Sequence, residues 1–166
     1  MSPRYAGRVR IESRLAELGL VLPGPTQAPP GVRLPFAPVR LFGHRAFVAG
    51  HGPLNPDGSL AGPFGKVPTD VTVEQAYASA RLTCLSILGS LKRALGDLDR
   101  VTAWLRVFGM VNCTADFATQ PNVINGCSDL LLELFGDVGQ HARSAVGMAA
   151  LPFNIPVEIE AELEFD

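Results

Sequence analysis

Apolar and acidic residues alternate with a period of two near the end of the sequence, from Val157 to Phe165. This alternation predicts a β-strand with one apolar face and one carboxylate face. The acidic positions are Glu158, Glu160, Glu162 and Glu164. A second strand, small and apolar, is predicted from Arg143 to Leu151, and prolines mark the corner between the two strands.

Three other segments carry apolar residues at the three- and four-residue spacing of a helix. They lie at residues 11–18, 73–95 and 116–135. The longest begins with the capping box Thr72-x-x-Gln75 and stops before Gly96. Cys84 falls on its apolar stripe, which favours a core residue over a reactive thiol.

Three more strands complete the pattern. Residues 39–42 and 45–49 predict a hairpin closed by Gly43-His44. Residues 101–110 predict a strand that is apolar on both faces and therefore buried on both sides. We place Trp104, Phe108 and Met110 on one of these faces. The order after the first helix is strand, strand, helix, strand, helix, strand, strand.

Length and composition predict one domain that associates with copies of itself. The chain has 166 residues, of which 47% are hydrophobic and 18% charged, so we expect part of its surface to be covered in a homo-oligomer. We divide it into an N-terminal helix with a proline-rich connector, residues 1–35, and a single domain, residues 36–166. The net charge of −2 makes nucleic acid an unlikely partner.

The chain is expected to be cytoplasmic. Its three cysteines lack C-x-x-C spacing, which is typical of reduced thiols, and no apolar run resembles a signal peptide or a membrane span. The N-terminal arginines Arg4, Arg8, Arg10 and Arg14 are interpreted as a solvated helix face rather than an anion site.

The sequence contains no motif for a metal or a cofactor, and we expect none. The histidines His44, His51 and His141 are scattered, and neither G-x-S-x-G nor G-x-G-x-x-G occurs. The glycine-rich segment 50–58 predicts either a turn on Asn-Pro-Asp-Gly or a set of backbone donors for a small anion. The polar residues that remain, an arginine and several glutamates near backbone donors, are suited to binding a small carboxylate and transferring a proton.

Two residues could carry that chemistry, and each has a simpler interpretation. Arg143 could grip a carboxylate with two parallel hydrogen bonds, or form a structural ion pair with a nearby acid. Glu158 could position a water, or be one of four solvated acids on its strand. If the last two strands form a hairpin about residues 153–154, Arg143 and Glu158 lie roughly 20 Å apart and could share a small substrate only across a subunit interface.

An ordered set of short motifs resembles the YjgF/RidA family of reactive-intermediate deaminases, in a longer branch that carries an N-terminal extension. The motifs are Gly50 to Gly58, Asn125, Ala142-Arg143-Ser144, Leu151-Pro152 and Val157-Glu158-Ile159-Glu160-Ala161. The resemblance covers residues 36–165. It implies an α+β, chorismate-mutase-like fold, in which two helices pack on one face of a mixed sheet, and a homotrimer with sites between subunits.

The resemblance also implies cofactor-independent hydrolysis of 2-imino or enamine acids to 2-keto acids and ammonia. By motif position, Arg143 would bind the substrate carboxylate and Glu158 would position the attacking water. The other family pocket positions are Phe36, Gly50, Asn125 and Ala145. Ala49, His51 and Ala145 stand where serine, glutamine and cysteine are common in the family. The alternatives are a trimeric module that binds carboxylate metabolites without turnover and, less favoured, an endoribonuclease.

Overall fold

The computed structural model describes residues 10–166, and the predicted order of helices and strands is confirmed. The helices are α1, Ile11–Glu17; α2, Val73–Leu95; and α3, Gln120–Phe135. The strands are β1, Val39–Phe42; β2, Arg45–His51; β3, Val101–Asn112; β4, Ala142–Met148; and β5, Val157–Phe165. Arg4 and Arg8 lie outside the described residues. Within residues 10–166, no helix combines the length and apolar character needed to cross a membrane.

The five strands form one mixed sheet in the order β1-β2-β5-β3-β4. The β3–β4 pair is parallel and the other pairs are antiparallel. Helices α2 and α3 pack together on one face of the sheet, so the predicted α+β arrangement of two helices on a mixed sheet is confirmed. The expected hairpin between the last two strands is wrong, because β3 lies between β4 and β5.

Strand β3 does not alternate as its sequence predicts. The register shifts between Val101 and Ala103 and again between Trp104 and Arg106. These irregularities place Trp104 on the helix side, where its ring meets Phe135 of α3 edge-on at 5.7 Å. The prediction that Trp104 shares a face with Phe108 and Met110 is therefore wrong.

The N-terminal segment packs against the same core as the rest of the chain. Ile11 and Leu15 of α1 are buried in it. The Glu12 carboxylate accepts hydrogen bonds from the Lys92 ammonium at 2.5 Å and from the backbone N–H of Leu98 at 3.1 Å. Further along, a Cβ at Gly89 would lie 2.9 Å from the Pro23 carbonyl oxygen, so the connector crosses α2 where only a glycine leaves room.

Candidate functional site

A pocket of about 670 Å³ lies where the end of β2, the start of β5, the C-terminal turn of α2 and the N-terminal connector meet. Its walls are mostly apolar, with Leu34, Phe36, Val39, Leu54, Phe153 and Ile155 among the lining residues. Arg93 and Glu158 are the charged side chains among the described residues that line it. Size and lining are those of a small-molecule site. Three of the predicted site residues, Phe36, Gly50 and Glu158, meet here.

Glu158 is held against the backbone of β2 in this pocket. It alternates with the buried Val157 and Ile159, and is itself half-buried. A Cβ at Gly50 would lie 2.1 Å from Oε1 of Glu158, so the carboxylate occupies the space that any other residue at position 50 would fill. Burial raises the pKa of Glu158, and the charge of Glu160 raises it further. Such a carboxyl group is suited to exchanging a proton closer to neutral pH than an exposed glutamate.

The other predicted residues form a separate group beside α3. One guanidinium nitrogen of Arg143, Nη1, donates to Oδ1 of Asn125 at 2.8 Å and to Oγ of Ser128 at 3.0 Å. Asn125 and Ser128 are three residues apart on α3, so both side chains reach the same strand. No carboxylate among residues 10–166 pairs with Arg143, in contrast to the structural ion pair considered above. Ala145 follows Arg143 on the same side of β4 and packs on the core.

The side chains of Arg143 and Glu158 project from opposite faces of the sheet. Arg143 lies beside Val107, which is buried under the helices, whereas Glu158 lies beside Met110 on the other face. The two Cα atoms are two strands and three residues apart, roughly 14 Å. The 20 Å expected from a hairpin is wrong because β3 intervenes, but one chain still cannot bring both side chains to one small substrate.

A chain of hydrogen bonds that sequence reasoning missed ends in the same pocket as Glu158. His51 is buried, and its Nδ1 donates to the Ala49 carbonyl oxygen at 2.6 Å, because a carbonyl can only accept. Its Nε2 then accepts the hydroxyl proton of Ser90 at 2.8 Å. Oγ of Ser90 accepts from Nη2 of Arg93 at 3.1 Å, and Nη1 of Arg93 donates to the Pro23 carbonyl at 3.0 Å.

Burial favours the neutral form of His51 in this series of hydrogen bonds. It lowers the pKa of His51, and the charge of Arg93 lowers it further, against the opposing hydrogen bond to Ala49. The sequence carries only a faint signal for the arrangement. Ser90 and Arg93 are three residues apart near the C-terminal end of α2, and nothing in the pattern brings His51 to them.

A cluster of three acids lies apart from the pocket. The carboxylates of Glu12, Asp97 and Asp99 place oxygens within 4.8 Å of one another, a spacing that could hold a metal ion. Their oxygens already accept hydrogen bonds from protein groups: Lys92 and a backbone N–H at Glu12, and backbone N–H groups at Asp97 and Asp99. We therefore interpret the cluster as the junction that fastens α1 to the turn after α2.

A mixed sheet under two helices, with an apolar pocket that holds one half-buried glutamate, makes this an α+β protein with a pocket of small-molecule size. Comparison with known proteins gives the family. Residues 12–161 match the family model described as “YjgF/chorismate mutase-like, putative endoribonuclease”. The chain belongs to this YjgF/RidA family, and the resemblance noted in the sequence is confirmed.

Relatives match nearly the whole chain. Protein TCP17 of Trypanosoma cruzi is 37% identical over 158 residues, which are 95% of each chain. The solved structure of Atu1372 from Agrobacterium tumefaciens, a protein of unknown function, is 39% identical with a TM-score of 0.83, over 94% of this chain and 92% of that one. A “putative endoribonuclease” from Shewanella oneidensis is 32% identical with a TM-score of 0.85, over 95% and 100%. The matches include the N-terminal segment packed on α2.

Proposed function

We propose that the protein hydrolyses 2-imino or enamine acids to 2-keto acids and ammonia, at sites completed between the subunits of a homotrimer. The observation that carries this proposal is the division of the six predicted site residues into two groups. Phe36, Gly50 and Glu158 line one pocket, while Asn125 of α3 and Arg143 and Ala145 of β4 form a separate group. Each group holds half of the chemistry, and the halves lie too far apart to act together within one chain.

Arg143 supplies the carboxylate-binding half. Its guanidinium is oriented by two neutral oxygen acceptors and is not neutralised by an acid among the described residues, so it keeps a full charge for a ligand. Strand β4 is an edge of the sheet, next to which a second copy can pack. A neighbouring copy would bring its Phe36–Glu158 pocket to this edge.

Glu158 supplies the proton-transfer half. In the reaction, water adds to the carbon of the C=N bond, and the tetrahedral adduct releases ammonia to leave the C=O of the keto acid. The Glu158 carboxylate accepts a proton from the attacking water and delivers it to the imine nitrogen, which gives the tetrahedral adduct. It then accepts the proton of the adduct's hydroxyl group and delivers it to the departing amine, so ammonia leaves, the C=O bond forms and the carboxylate ends each cycle as it began. Its apolar setting favours the protonated form that the second step requires.

Complementation between two inactive variants tests the proposal. Arg143→Ala and Glu158→Gln are each expected to release ammonia from a semicarbazone-trappable imino acid far more slowly than the unaltered protein. If the site lies between subunits, trimers assembled from equal amounts of both variants combine an intact Arg143 with an intact Glu158 in about a quarter of their sites. Activity should therefore return to roughly that fraction.

Two controls sharpen the experiment. Glu162→Gln, which changes an acid on the same strand and face, should retain activity alone. Mixing Glu158→Gln with Glu158→Ala should restore nothing. Full activity in Arg143→Ala would refute the proposed carboxylate clamp, and an absence of recovery in mixed trimers would refute the intersubunit site. Saturable binding of 2-keto acids without any turnover in the unaltered protein would support the alternative, a binding module for carboxylate metabolites.

A further inference from the structure

The pocket that holds Glu158 also contains a cation that the proposed reaction does not use. Arg93 lines the pocket, and no acid among residues 10–166 forms an ion pair with it. Glu158 lines the same pocket and likewise has no ion-pair partner in the described chain. An arginine placed only to balance a glutamate would contact it, and these two do not.

The hydrogen-bond chain fixes the orientation of this cation. His51 is anchored to the backbone of β2, it accepts from Ser90, and Ser90 accepts from Arg93. The Pro23 carbonyl holds the other terminal nitrogen. A guanidinium carries five N–H groups, and these bonds use two of them, so the remaining donors are available to a planar anion.

The pocket is also larger than the proposed reaction requires. About 670 Å³ exceeds what the three or four carbons of the simplest imino acids fill. The walls between the charged groups are apolar, and part of the wall comes from Pro25, Thr26 and Leu34 of the N-terminal connector. The space therefore suits a ligand with an apolar chain and a second polar end.

We propose that Arg93 is the anion-binding end of a second subsite, and that the substrate is an imino acid whose side chain ends in a carboxylate. The inference rests on the proposed function for the reacting end. Arg143 of a neighbouring copy would hold the first carboxylate, Glu158 would face the imine, and Arg93 would hold the distal carboxylate. The connector closes the pocket around the carbons between them.

Calorimetry with two stable product analogues tests the subsite. 2-Oxoadipate and 2-oxohexanoate have six carbons each and differ at the distal end, which is a carboxylate in the first and a methyl group in the second. We expect the unaltered protein to bind 2-oxoadipate at least about tenfold more tightly, as for one charge-assisted contact. Arg93→Met should abolish that preference, Arg93→Lys should keep part of it, and Arg40→Met, which removes an exposed arginine elsewhere, should leave it unchanged.

The measured quantity is a ratio within one protein, which separates this inference from the reaction itself. Arg143→Ala should weaken both ligands by a similar factor and preserve the ratio. Because Arg93 also holds the connector, Ser90→Ala provides a milder variant that keeps the charge and loses its orientation, and it should give an intermediate ratio. Equal affinities in the unaltered protein, a preference that survives Arg93→Met, or no binding of either acid at millimolar concentration would overturn the subsite. Imine hydrolysis without the preference would overturn the subsite alone.

Discussion

Replacing Gly50 by alanine is the smallest change that should displace Glu158 without altering it. The added methyl group would lie 2.1 Å from Oε1 of Glu158, about 1.3 Å closer than the 3.4 Å at which ordinary contact begins. Gly50 lies in a bulge of β2, where the register shifts between Val48 and His51, and pairing of these two residues with β5 holds the backbone on both sides of it. The carboxylate, in contrast, is the end of a flexible side chain. The carboxylate will therefore move, by about 1 Å or more.

Gly50→Ala is expected to lower activity strongly and to change stability little. A misplacement of about 1 Å in a reacting group costs on the order of 100-fold in rate. We therefore expect kcat/KM for imine hydrolysis to fall by roughly that factor in Gly50→Ala. The free energy of unfolding should change by about 1 kcal/mol or less, because replacing a strand glycine reduces the entropy of the unfolded chain and offsets the local contact.

Ammonia release and thermal unfolding, measured on the same preparations, separate these effects. Gly24→Ala is the matched control, since a Cβ there would meet its nearest neighbour, the Asp57 carbonyl, at an ordinary 3.6 Å. Glu158→Gln gives the rate without the carboxylate. Unchanged turnover in Gly50→Ala beside a strongly impaired Glu158→Gln would refute the argument that the 2.1 Å contact sets the catalytic position. Unchanged turnover in both would remove Glu158 from the mechanism.

Three further predictions concern stability. Burial raises the pKa of Glu158, because the folded state disfavours the charged form of this carboxyl group. Glu158→Gln should therefore raise Tm at pH 7, and the gain should vanish as the pH falls below about 4.5. Burial lowers the pKa of His51, so the free energy of unfolding should fall as the pH drops below about 6.5. Denaturant titrations at several pH values should show a shallower fall in His51→Asn. Leu88→Ala, at a fully buried position of α2, should cost about 2–5 kcal/mol of unfolding free energy by denaturant titration.

The sequence predicts the elements of this fold better than their pairing. Helix α2 has a capping box and an apolar stripe, and both are local signals that the structure reproduces. The neighbour of β5 is not a local property. An alternating strand satisfies its apolar face beside β4 or beside β3 equally well, and the choice depends on how α3 carries the chain across. The alternating pattern does not show bulges either, which is why it predicts the wrong face for Trp104.

The candidate site likewise contains residues that local sequence motifs predict and residues that only long-range packing brings together. Motif positions indicate Gly50 and Glu158, and these two residues are in contact in the structure. Arg93 has no motif. Its place in the pocket depends on the bulged end of β2, the C-terminal turn of α2 and the connector meeting in space, three segments far apart in sequence. Periodicity indicates that α2 has a buried face, but it cannot indicate which strand end lies opposite its last turn.

The exposed surface of one chain has features that fit the proposed trimer. The sheet face away from α2 and α3 carries Phe47, which is 38% exposed, and the half-buried Phe108 beside Glu160 and Glu162. Strand β4 forms a sheet edge with backbone groups that face no other strand within residues 10–166. Association of copies through this face and this edge would cover the apolar rings, and it would bring Arg143 of one copy towards the Glu158 pocket of the next. One packing arrangement would thus account for both the excess of apolar residues and the division of the site.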